Sequence, residues 1–268
     1  MNRLLQKYKV LPKIKQCIDS EIGFTVNIAE CNTTLQHFNI KTYDKYNNHY
    51  FNEFSKFLPL QSYPNKNIIK IHDKFEDDKN LYVLYPYYGK GTLYNLLLKM
   101  YFNNNLSEET MKPLFSSIVD IVQLCHDRNI AILNLSPENL LVDNNNNLVL
   151  SNLFNSIYHD TYYYKEMEYY SKHQLDLEYS APELLNNKYS KASDMFSLGI
   201  LFYIMLTKQN LIDESGKNIL YNITKNESML DIEHISPEAK ELLFSLCSSN
   251  VYDRPTIYEI KKSDWFQL

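Results

Sequence analysis

Apolar and polar residues alternate over much of the first hundred positions and then settle into longer helical spacings. "FTVNIAEC" (24–31) and "HFNIKTYD" (37–44) carry the two-residue period of strands with one buried face. "NIIKIHDKFED" (67–77) and "NLYVLYPYY" (80–88) predict a further hairpin. A helix is expected between these segments, around "YFNEFSKFLPL" (50–60).

The remainder reads as mainly helical. "SEETMKPLFSSIVDIVQLCHD" (107–127) opens on Ser107, an N-cap residue followed by two acids. "SDMFSLGILFYIMLT" (193–207) is apolar nearly all round, which places it at the centre of its lobe. "SPEAKELLFSLC" (236–247) has Ser236 as cap and Pro237 at the first helical position, where a missing N–H costs nothing. "ILNLSPENLLVDNNNNLVLSNLF" (132–154) has another rhythm: a loop, Pro-Glu-Asn, a buried strand, an Asn-rich hairpin turn, a second strand and a tight turn. A calcium-loop reading of 143–154 fails, because Leu148 stands at the sixth position and Phe154 at the twelfth.

Composition narrows the function classes. With 268 residues, 44% hydrophobic and 22% charged, the chain can bury a substantial core. Net charge is −5 with acids and bases interspersed, so no basic block would track a phosphate backbone, and nucleic acid is not expected as a partner. The four cysteines lie far apart without metal spacing and read as reduced thiols. No signal peptide or membrane span is apparent, so a cytoplasmic protein without a membrane partner is expected.

Eight segments then occur in one order: "IKTYDK" (40–45), "FNEF" (51–54), "NLYVLYPYY" (80–88), "LNLSPENLL" (133–141), "SNLF" (151–154), "SAPELL" (180–185), "SDMFSLGILFYIML" (193–206) and "YDRPTIYEIKKSDWF" (252–266). In that order and with those separations the chain resembles a protein kinase domain of the Ser/Thr branch, over nearly its whole length. The resemblance implies an α+β, bilobal fold: a small, mainly antiparallel β lobe with one helix (about 1–86), and a larger, mainly helical lobe (about 87–268). The chain is expected to be a single kinase-like domain over 1–268.

Residue by residue, the resemblance makes Lys41 the phosphate-pairing lysine and Glu53 its helix partner. Tyr85 and Tyr88 line the hinge, with Asn39 at the roof over the base. Asn134 stands where the family has its catalytic carboxylate, Ser136 where it has a lysine, and Asn152 where it has the main metal carboxylate; Asn139 matches the second metal ligand. Leu133 replaces an arginine, Asp176 a threonine, and Asp19, Glu21 and Phe24 the loop glycines. Ile71, Phe57, Leu153 and Ile132 match an apolar stack above Asp194, and Glu183 and Arg254 a buried ion pair.

An amide cannot accept a substrate proton near neutral pH, and loss of base, lysine and metal ligand together removes most electrostatic stabilisation. The expectation is therefore not an enzyme but a pseudokinase, a scaffold or allosteric regulator. Its partner would be another protein, such as an active kinase. No cofactor and no metal are expected: ATP either does not bind or binds weakly and without metal. The alternative is a nucleotide-binding switch, or a residual Ser/Thr protein kinase with an atypical mechanism. The Tyr-rich stretch between Phe154 and Tyr179 is the expected docking surface besides the cleft.

Overall fold

The computed structural model describes residues 2–11, 18–19, 24–46, 50–62, 65–153, 155–159, 165–166, 178–207, 232 and 234–267. Asp176, Glu21 and the tyrosines at 162–164 lie outside them, as does most of the stretch expected to dock partners.

The upper lobe is built on a six-stranded antiparallel sheet. Its strands are β1 (Tyr8–Val10), β2 (Ile18–Asp19), β3 (Phe24–Cys31), β4 (His37–Asp44), β5 (Asp73–Glu76) and β6 (Asn80–Pro86). They run in the order β1-β3-β4-β6-β5, with β2 also paired to β3. Asn39 lies opposite Tyr85 and Lys41 opposite Val83, so β4 and β6 carry the expected roof, lysine and hinge side by side. A short helix, α1 (Asn2–Lys7), precedes the sheet, and α2 (Tyr50–Gln61) packs behind it.

The predicted strand at 67–77 is shorter in the structure. Only Asp73–Glu76 pairs with β6. The first part crosses to the lower lobe instead, where Ile69 N donates to Leu150 O at 3.0 Å and Leu150 N to Asn67 O at 2.8 Å. Ile68 and Ile69 are thereby buried without sheet neighbours on both sides. Apolar alternation alone cannot distinguish these two ways of burying one face.

The lower lobe is helical: α3 (Leu93–Phe102), α4 (Glu108–His126), α5 (Lys191–Thr207), α6 (Pro237–Leu246), α7 (Ile257–Ile260) and α8 (Asp264–Gln267). Ser107 caps α4 by accepting from Thr110 N, and Ser236 caps α6 by accepting from Ala239 N. Every residue of α5 is buried. At Gly199 a side chain would lie 2.5 Å from Cys247 Sγ, so the glycine allows α5 and α6 to pack closely. Between α4 and α5 run β7 (Ile130–Ala131), β8 (Leu140–Val142), β9 (Leu148–Leu150), β10 (Ile157–Tyr158), β11 (Lys165–Glu166) and β12 (Lys188–Tyr189). The Asn-rich turn between β8 and β9 is closed by Asp143, which accepts from the amides of Asn145 and Asn147 at 2.8 and 2.7 Å. The α+β, two-lobed architecture of the protein kinase fold is thus present. Among the described residues no helix is long and apolar enough to cross a membrane.

Candidate active site

The loop after β7 is positioned from below by α5. Asp194, fully buried, accepts from Ile132 N at 2.8 Å, from Leu133 N at 2.7 Å and from His126 Nε2 at 2.8 Å. These bonds hold Leu133 at φ +60°, a left-handed conformation that costs a leucine roughly 1 kcal/mol or more. Its side chain is nonetheless only 1% exposed. Phe57, Ile132 and Leu153 are buried in one core with Asp194 beneath Ile132, and half-buried Ile71 packs against it.

Past Leu133 the loop presents Asn134, Ser136 and Asn139. Asn139 Nδ2 donates to Asn134 O at 3.0 Å and to Ser136 Oγ at 3.1 Å, while its Oδ1 accepts from Asn152 Nδ2 at 3.1 Å. Ser151 N and Oγ both donate to Asn139 O at 3.0 Å. Lys41 completes the cluster by donating from Nζ to Ser151 O at 3.0 Å, with its ammonium 5.9 Å from the ring centre of Tyr85. The structure therefore gathers Lys41, Asn134, Ser136, Asn139 and Asn152 into one place. Within it, Asn134 Oδ1 is shut off from solvent and has no hydrogen-bond partner. A buried acceptor left in this state costs on the order of 1–3 kcal/mol.

Lys41 is not the open, water-replaceable group that a cleft position suggests, for it is only 7% exposed. Glu53 lies in α2, but its side chain and those of Asp19 and Phe24 fall outside the described part. At the hinge Tyr85 is buried and Tyr88 half-buried, and burial pushes the Tyr88 phenol up from its ordinary range, helped by Asp143. Asn39 Nδ2 lies 3.5 Å from Pro86 O, at the outer limit of a hydrogen bond.

Among the described residues gathered here, the donor set offers amide oxygens and one hydroxyl, and no carboxylate. A hard divalent cation draws its binding chiefly from anionic oxygens, and Asn139 Oδ1 already accepts from Asn152. These residues do not fit a tightly held divalent ion. Among the described residues no three His, Cys, Asp or Glu side chains gather as metal ligands.

Away from the cleft, Arg254 Nη1 and Nη2 meet Glu183 Oε1 and Oε2 at 2.6 and 2.9 Å, and Ser193 Oγ adds a bond to Glu183 at 2.8 Å. One lysine went unnoticed in the sequence. Lys56 of α2 is 2% exposed and donates to Ser156 O. Its neighbours "FSKFLPL" mark a helix but carry no sign that the ammonium points inward.

A protein kinase domain model matches residues 23–266. Among known proteins the chain is similar to CBL-interacting protein kinase 1 of Oryza sativa subsp. japonica, 28% identical over 218 residues, covering 78% of this chain and 44% of that protein. It is also similar to the Aurora kinase of Dictyostelium discoideum, 27% identical over 203 residues, covering 75% and 50%. A third relative, the carbon catabolite-derepressing protein kinase of Candida glabrata, is 26% identical over 215 residues, covering 79% and 33%. The chain thus spans about a third to a half of these relatives' lengths.

These matches correct the expectation that the chain is not an enzyme. It rested on residue types at Asn134, Ser136 and Asn152, whereas the match runs through both lobes and the relatives are named as protein kinases. A weaker group at a given position raises a barrier, each tenfold in rate costing about 1.36 kcal/mol, and residue type at three positions does not by itself remove an activity. With its order of motifs, its two-lobed fold and a family match across both lobes, the chain belongs to the protein kinase domain family.

Proposed function

We propose that this chain is a Ser/Thr-branch protein phosphotransferase of atypical mechanism, whose cleft takes ATP without a tightly bound divalent metal. The observation that carries this reading is the network in which Asn139 joins Asn134, Ser136 and Asn152, with Lys41 bonded to the adjoining Ser151. Asn134 Oδ1 has no hydrogen-bond partner, and a turn of its side chain toward the cleft would let it accept from a protein hydroxyl. It is too weak a base to remove the proton. The hydroxyl oxygen forms its bond to the γ-phosphorus as the bridging P–O bond breaks, and the proton passes to a phosphoryl oxygen, leaving ADP. Phosphoryl transfer through a loose transition state depends mainly on positioning and charge, so a positioned amide and one lysine support a slow reaction. The kinase names of the relatives support a protein hydroxyl as acceptor and another protein as partner.

A nucleotide-binding switch is the second reading, favoured by the contact of Lys41 with the main chain beside Asn152. Incubation with radiolabelled ATP and generic protein substrates, in EDTA, magnesium or manganese, separates the two. Slow incorporation that survives EDTA and falls in Asn134→Ala is expected. Nucleotide binding without incorporation leaves the switch, and neither binding nor incorporation overturns both.

A further inference from the structure

Two lysines of the upper lobe reach main-chain carbonyls on either side of Asn152. Lys41 on β4 holds Ser151 O, and Lys56 on α2 holds Ser156 O. Asn152, whose amide steadies Asn139, lies between those carbonyls beside Leu153, which is buried in the same core as Phe57. Ser156 folds the turn back on itself, with N and Oγ donating to Leu153 O at 3.1 and 2.5 Å.

An ammonium buried to the extent of Lys56 is stabilising only when its protons are satisfied, and an apolar side chain of similar length serves packing at least as well. Its position therefore calls for a role that packing does not supply.

We propose that Lys56 is a positioning residue for the cleft: with Lys41 it forms a two-point strap that keeps Asn152 and Leu153 in place. Phosphate entering the cleft competes for Lys41, because a polyanion attracts an ammonium more strongly than a neutral carbonyl does. When Lys41 turns to phosphate, the Lys56 contact with Ser156 O stays in place. The strap itself requires no ligand; only the exchange of Lys41 rests on the proposed nucleotide site.

Hydrogen exchange on the full chain tests this. In Lys56→Met without ligand, the Ser156 amide and its neighbours should exchange about tenfold faster, as expected for loss of a hydrogen bond to a charged group. Lys56→Arg should restore most of the protection. Sodium tripolyphosphate should speed exchange at Ser151–Leu153 in the parent protein and have no such effect in Lys41→Met. In turnover assays Lys56→Met should lower kcat more than it alters KM, since the phosphate contact is intact. Unchanged exchange in a folded Lys56→Met protein overturns the strap. If that variant does not fold, unchanged exchange in Lys56→Gln, or an equal and non-zero tripolyphosphate response in the parent and in Lys41→Met, overturns it instead. Failure of the nucleotide site leaves another pattern: no phosphate response in the parent, with the ligand-free Lys56→Met effect still present.

Discussion

Asp194 and Leu133 are joined by a 2.7 Å bond from the Leu133 amide to the aspartate Oδ1, across 61 positions of sequence. The same carboxylate takes the Ile132 amide and His126 Nε2, so one buried side chain from α5 sets the path by which the loop enters the cleft. Asp194→Ala removes the acceptor of two buried amides and of His126 Nε2, and with them the bonds that hold Leu133 left-handed. A loss of about 3–5 kcal/mol is expected, comparable to stranding a partner of a buried ionic contact. Urea denaturation measures it, and a loss below about 1 kcal/mol, ordinary for a single neutral bond, contradicts the assignment.

Arg254 and Glu183 invite a double-mutant cycle. Arg254→Met leaves Glu183 as a buried carboxylate with Ser193 as its remaining hydrogen-bond donor among the contacts described above. That should cost about 3–5 kcal/mol, whereas removing both charges with Glu183→Leu should recover part of the loss. Additive losses in chemical denaturation would show that the pair acts as two independent groups.

Glu108 links three elements by accepting from Ser236 N at 2.6 Å, Ser236 Oγ at 2.8 Å and Trp265 Nε1 at 2.9 Å. Burial opposes ionisation of its carboxyl, but the bonds from Ser236 and Trp265, with the nearby His234, outweigh it and hold Glu108 below its ordinary range. A depressed carboxyl contributes stability that is fully present above its unfolded pKa of about 4.3 and is lost as pH falls through the folded value. Stability should thus decline on acidification below about pH 4.3, and Glu108→Gln should flatten that decline. The fluorescence of Trp265, the chain's single tryptophan, reports it directly.

The described cysteines should differ in reactivity. Hydrogen bonds from Thr33 and Thr34 lower the Cys31 thiol to about 6, while burial pushes Cys247 up to about 12 and raises Cys125 as well. The thiolate is the reacting form. Brief iodoacetamide treatment of native protein at pH 7 should alkylate Cys31 and spare Cys125 and Cys247. Mass spectrometry of the digest checks this, and early labelling of either buried thiol would show that the lower lobe opens.

Much of this molecule is written locally. The caps Ser107 and Ser236, the strand period of 24–44 and the all-round apolar face of α5 depend on neighbours a few positions away, and they stand in the structure where the pattern put them. The motif order was legible for the same reason, and with it the family and the positions of Lys41, Asn134, Asn139 and Asn152. Only the tertiary structure decided which of those groups bond to one another. The bond from Asn152 to Asn139 spans 13 positions, that from Lys41 to Ser151 spans 110, and that from Lys56 to Ser156 spans 100. Such partners are chosen by how remote segments pack, and local periodicity carries no record of them. For the same reason the stretch at 67–69 read as strand but bonds to the lower lobe, and Lys41, matched to a phosphate-pairing position, lies buried. Residue types name the chemistry available to the cleft; the packing of two lobes sets which atoms of it face one another.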